Sequence, residues 1–140
     1  MTSMNMSELA ILLIEPSSTQ RKIILSHLQE EGIANIDGVA TGKEAMNVIS
    51  HYPPDLIISA MYLPDTTASD LLEKIRNTES TKDINFMLVS SETSMKALEP
   101  VRQAGVVAIL PKPFVHEDLR RALRTTVDYI DPEEMELENY

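Results

Sequence analysis

The chain has 140 residues, 43% hydrophobic and 24% charged, which is enough for one compact domain with an ordinary core. Its 22 acidic residues against 12 basic ones give a net charge of -10, a field that disfavours direct contact with nucleic acid or an anionic membrane. There is no cysteine, so disulfides, thiolate catalysis and cysteine-held metals are excluded. No apolar run is long enough to cross a bilayer, and residues 1–8 lack the basic and apolar parts of a signal peptide. A cytoplasmic location away from membranes is therefore expected.

In chain order, the first apolar segment is Ala10-Ile11-Leu12-Leu13-Ile14. It is unbroken rather than alternating, as in a strand covered on both faces. Ser17 or Ser18 then caps a helix reaching Glu31, with Ile24, Leu25 and Leu28 as its apolar stripe and Gly32 as its stop. A weaker strand, Ile36 to Ala40, contains Asp37 and Gly38. Thr41-Gly42-Lys43-Glu44 reads as a capping box, and Ala45, Val48 and Ile49 supply the buried face behind it. Pro53-Pro54 introduces the third strand, Leu56-Ile57-Ile58-Ser59-Ala60. Ser69 to Arg76 carries Leu71, Leu72 and Ile75 at helical spacing, and Phe86 to Ser90 forms the fourth strand.

Ser94 to Ala104 is a helix containing Pro100, which removes one hydrogen bond and crowds the preceding turn. That helix is expected to be short, kinked or late to begin. Val106 to Leu110 is the fifth strand, bounded by Gly105 and Pro111. From Val115 to about Tyr129, Leu119, Ala122, Leu123 and Val127 share one helical face. The five acids of residues 131–140 hold half the net charge. They read as a linker or helix extension, with a leader toward a further domain as the rival. The expected organisation is a tail at 1–8, a domain at 9–130 and an acidic tail at 131–140.

Strand and helix alternate five times, which favours parallel strands with helices on both sheet faces. The physical reading is a small, doubly wound α/β domain. Such folds place their sites outside the C-terminal strand ends, where the strand order reverses. Here that rule points to Glu15, Pro16, Ala60, Ser90 and the loop around Lys112.

The punctuation is as informative as the alternation. Pro54-Asp55-Leu56 leads the third strand, Leu63-Pro64 follows it, Ala104-Gly105 precedes the fifth, and Lys112-Pro113-Phe114 opens the last helix. In this order and spacing they resemble the response-regulator receiver family, over roughly Leu9 to Tyr129. The resemblance implies a flavodoxin-like (βα)5 three-layer sandwich around a five-stranded parallel sheet. It implies an acidic pair after the first strand that binds a divalent ion, an acceptor aspartate after the third, a switch hydroxyl after the fourth and a lysine after the fifth. These suit phosphoryl transfer, which needs an acceptor carboxylate, a held cation and fixed donors aimed at three charged oxygens.

On this chain the acidic pair becomes Glu15 and Pro16, and the acceptor position becomes Ala60, whose methyl group accepts nothing. Ser59 is one residue out of register and faces the other way, and Asp65 reads as a turn residue. Ser90 and Lys112 survive. Lys112 either pairs with Glu15 across the cleft or leans over its rim, and Lys112-Pro113 resembles the family's cis peptide. Ile109 replaces the aromatic switch, and Ala68 replaces a loop glycine. Ile109, Pro100 and Leu119 mark the switch or partner face that the resemblance implies.

The function expected on this basis is a degenerate pseudo-receiver. It is a phosphorylation-independent module that acts by protein–protein interaction with a partner, a neighbouring domain or a second copy, in two-component or related regulation. It is expected not to be an enzyme and to hold no cofactor or metal. The alternatives are a conventional phosphorelay receiver, or a small-ligand-binding domain using the altered cleft. His27, His51 and His116 share no local ligand spacing and read as solvated or capping residues. Ser17, Ser18 and Ser91 show no base partner, and the four glycines make no phosphate loop.

Overall fold

A computed structural model describes residues 6–130, with the side chain of Tyr129 left aside. The expected tail of 131–140 and most of the expected N-terminal one lie outside the described residues. A single 3-10 turn at Met6–Glu8 leads into β1 (Ala10–Ile14) and α1 (Ser18–Glu30), then β2 (Asn35–Val39) and α2 (Gly42–His51). These are followed by β3 (Leu56–Ala60), α3 (Ala68–Arg76), β4 (Asn85–Ser90) and α4 (Met95–Ala104). The last pair is β5 (Ala108–Pro111) and α5 (His116–Ile130).

All four strand pairings are parallel, in the order β2-β1-β3-β4-β5. Two cores result, one on each sheet face. Ile24 and Leu28 of α1 and Leu119, Leu123 and Val127 of α5 pack with Leu13 and Ile58 on one face. Ala45 and Ile49 of α2, Leu72 of α3 and Val101 of α4 pack with Leu12 and Ile57 on the other. The central strands are apolar on both faces because both are covered, and each fully buried Leu or Ile contributes roughly 1.5–3 kcal/mol. This is the flavodoxin-like three-layer sandwich expected from the alternation.

The local signals are mostly used as the sequence suggests. Ser17, Thr41, Thr67 and Ser94 each accept an amide hydrogen bond at the first turn of α1, α2, α3 and α4. Gly32, with φ of +86°, lets the chain turn after α1, a conformation that a Cβ disfavours.

Two expectations are corrected. The fifth strand pairs over Ala108–Pro111 rather than starting at Val106, because its register with β4 begins at Met87 opposite Ala108. Pro111 is tolerated because β5 is the sheet edge. The fourth helix is neither short nor late. It starts directly after Ser94 and runs ten residues through Pro100. Pro100 is exposed, while buried Leu98 and Val101 hold both sides of it to the core.

Candidate functional site

The strand order reverses between β1 and β3, and the positions named from the sequence gather at their C-terminal ends. Glu15 follows β1 and is 5% exposed. Its amide donates to Val39 at 3.0 Å, and one carboxylate oxygen accepts from the Ser17 amide at 3.1 Å. The other oxygen lies 3.0 Å from Lys112 Nζ. The cleft-spanning ion pair therefore forms, and Lys112 also donates to Gln20 Oε1. The Lys112-Pro113 peptide is cis.

Ala60 ends β3, half-buried, with no polar atom on its side chain. Ser59 is fully buried and donates to the Ala60 carbonyl at 2.8 Å, so its hydroxyl is turned inward. Ser90 is buried at the end of β4, and its oxygen accepts from the Glu92 amide at 3.0 Å. Above these strand ends, the Tyr62 hydroxyl donates to Glu92 Oε2 at 2.8 Å, joining the loops after β3 and β4. The Ser94 amide donates to the other Glu92 oxygen at 2.9 Å. These amide and hydroxyl donors hold the Glu92 carboxyl below the usual range, with the Ser94 amide the leading cause. Pro16 is half-buried beside Glu15.

Other expectations change. Asp65 is more than a turn residue: its two carboxylate oxygens accept the Gly42 and Lys43 amides at 2.8 and 2.9 Å. It thus satisfies the free donors at the start of α2, and these bonds lower its pKa. A Cβ at Gly42 would lie 2.5 Å from the Thr66 methyl, so a larger residue there requires the Thr66 side chain to shift. Leu119 is fully buried in the core between α5 and the sheet. Its side chain cannot belong to an exposed partner face; an apolar residue on the inner stripe of an amphipathic helix is core. Ile109 is partly buried in β5 against the opposite core, and only Pro100 of the three lies exposed.

The larger correction concerns the histidines. Local spacing gave no reason to join His27 and His116, which stand 89 positions apart. The fold sets the last turns of α1 against the first residue of α5, and their Nδ1 atoms meet at 2.7 Å. Glu30 Oε2 lies 3.5 Å from His116 Nδ1. These three residues offer ligand atoms all within 4.8 Å of one another, a cluster able to hold a metal ion. Glu31, the C-cap residue of α1, accepts from His116 Nε2 at 2.7 Å and from Arg120 at 2.9 and 3.2 Å. Arg120 and His116 hold the Glu31 carboxyl below its ordinary range.

This candidate metal cluster and its ion-pair network overturn the expected phosphorylation-independent module acting by protein–protein interaction. They favour the alternatives, a conventional phosphorelay receiver or a small-ligand-binding domain using the altered cleft. Sequence reasoning missed the cluster because its members belong to elements distant in the chain; only α1 and α5 sharing one sheet face linked them.

Beside the cluster lies an open groove of about 360 Å³ between α1 and the β5–α5 loop. Ile23, Ile24, Pro113 and Phe114 form its walls, and Gln20, Lys112, Ser91 and His27 bring polar groups to it. Ile23 is 52% exposed. The groove therefore joins the cleft, through Lys112, to the histidine cluster, through His27.

The response regulator receiver domain family matches residues 11–124, and the chain belongs to that family. Domains of this family are signalling modules rather than enzymes in their own right. Among curated proteins the chain is similar to a probable chemotaxis protein CheY of Rhizobium etli, 23% identical over 83% of this chain and 90% of that one. It is also similar to the chemotaxis protein CheY of Pseudomonas aeruginosa, 26% identical over 86% of this chain and 98% of the other. Among solved structures, the chemotaxis response regulator CheY4 of Vibrio cholerae superposes with a TM-score of 0.77 at 24% identity, covering 84% of this chain and 98% of that one. At that identity the likeness establishes the fold. Among the described residues no helix is long and apolar enough to cross a membrane.

Proposed function

We propose that this receiver domain is a ligand-responsive signalling module whose input is a small molecule held in the groove between α1 and the β5–α5 loop. The groove itself carries the reading: apolar walls with a charged group at one end and an imidazole at the other. Small-ligand sites commonly combine an apolar lining with a few convergent polar groups. Lys112 uses two of its three N–H bonds on Glu15 and Gln20 among the described residues, which leaves one for an incoming acceptor. The chemistry fits a compact apolar molecule ending in a carbonyl or carboxylate.

Glu15, Pro16, Ala60, Ser90 and Lys112 form the altered family cleft in this proposal. The Ala60 side chain supplies no oxygen and Pro16 no carboxylate, so the side-chain polar contacts left for an input are concentrated around Lys112. A ligand there touches the segment leading directly into α5. The output is proposed to run through the exposed side of α4 and α5 to a protein partner, a neighbouring domain or a second copy.

The test is calorimetric unfolding of the metal-free full chain with a panel of small aromatic and aliphatic carboxylates. A binder present at a hundredfold excess over its Kd adds about 2.7 kcal/mol of stability. For a domain of this size that raises Tm by several degrees. Ile23→Glu, at an exposed wall position, is expected to abolish the rise while leaving the unliganded Tm within about 2 °C. A rise that persists unchanged in Ile23→Glu would place binding elsewhere.

A further inference from the structure

We infer that His27, Glu30 and His116 form a binding site for a divalent transition-metal ion of the zinc class. The inference goes beyond the groove reading and stands whether or not the groove takes an organic molecule. Two helices supply the donors. His27 and Glu30 lie one turn apart at the end of α1, and His116 begins α5.

The partner of His116 fixes the chemistry. Glu31 is a carboxylate that only accepts, so His116 Nε2 carries the proton between them. When His116 is neutral it presents a lone pair at Nδ1, and His27 Nδ1 then donates across the 2.7 Å contact. Both Nδ1 atoms thus face one point, with the Glu30 carboxylate 3.5 Å from one of them. A metal at that point replaces the shared proton. His27 then carries its proton on Nε2, so two neutral imidazoles bind without net proton release.

Two of the three donor separations are close to what ligation demands, and all three lie within 4.8 Å. Tetrahedral zinc with bonds of about 2.0–2.1 Å separates its donors by about 3.3 Å. The Glu30–His116 spacing already matches, and the histidine nitrogens need to part by roughly 0.6 Å. Glu30 is 62% exposed at its side chain and has room to swing inward.

The surroundings resemble a supported metal site rather than a chance meeting of side chains. A histidine ligand whose second nitrogen donates to a carboxylate is oriented and made more basic by it. Here Glu31 does this for His116, and Arg120 holds Glu31 in turn. The His27 ring also contacts Phe114 at 6.2 Å between centroids. Two nitrogens and one oxygen suit zinc, nickel or copper, whereas magnesium and calcium require oxygen-rich shells. Three protein ligands leave a fourth position for water or another donor, and His27 also lines the groove.

The experiment is isothermal titration of the tag-free full chain with zinc chloride, after treatment with a chelator. One zinc per chain is expected, with no comparable heat from magnesium. His27→Gln is expected to weaken binding by more than a hundredfold, and Glu31→Gln by tenfold or more. His51→Gln, at an exposed histidine that contacts Asn47 and Ser50, is expected to change nothing. Circular dichroism checks that each variant is folded. If His116→Gln unfolds, His27→Gln and Glu30→Gln decide the matter. Unchanged affinity in folded His27→Gln, or equal loss in His51→Gln, would overturn the site.

Discussion

At the scale of single residues, the cleft shows what sequence can and cannot carry. Glu15, Pro16, Ala60, Ser90 and Lys112 were legible because receiver spacing fixes the ends of β1, β3, β4 and β5. The Glu15–Lys112 pair was one of two open outcomes, and the structure forms it at 3.0 Å. Glu15 is almost fully buried, so Lys112→Met leaves its carboxylate with the Ser17 amide as its one remaining hydrogen-bond donor among the described residues. That loss is expected to destabilise the domain by about 2 kcal/mol, within the range for hydrogen bonds to charged groups. Replacing both residues by methionine is expected to recover most of it, because a buried ion pair and a well-packed apolar pair are often similar in stability. Urea unfolding of the single and double variants checks both statements. The His27–His116 contact was illegible for the opposite reason: no local spacing encodes a meeting across 89 positions.

At the scale of elements, periodicity and caps place every strand and helix to within a residue or two. The deviations have local causes. Pro100 suggested a short, kinked or late helix, but Pro100 lies on the solvent side while Leu98 and Val101 fasten the inner side. Asp65 looked like a turn residue because its partners, the Gly42 and Lys43 amides, are more than twenty positions away. Those bonds favour its ionised form, so its folded pKa is depressed. Stability from a depressed carboxyl is present above the ordinary carboxylate range, near pH 4, and is lost as pH falls through the folded value. Asp65→Ala is therefore expected to lower Tm at pH 7. The difference from the wild type should shrink as pH falls through that folded value, as followed by thermal unfolding across pH. A difference independent of pH would show that ionisation of Asp65 plays no part.

At the scale of the whole molecule, the doubly wound fold brings α1 and the β5–α5 loop together on one sheet face. That arrangement creates the groove, and with it the link between Lys112 in the cleft and His27 in the histidine cluster. A ligand there contacts the last step before α5, the helix that covers the sheet beside α1. The absence of a side-chain oxygen at Ala60 was visible in the sequence; the groove beside it required the fold. The most direct measurement is amide chemical-shift mapping of the isotopically labelled, metal-free chain during titration with the tightest-binding carboxylate from the thermal panel. The account predicts saturable shifts confined to Gln20, Ile23, Ile24, His27, Ser91, Lys112 and Phe114, extending into the first turn of α5. Saturable shifts centred anywhere else, with these residues unmoved, would contradict it.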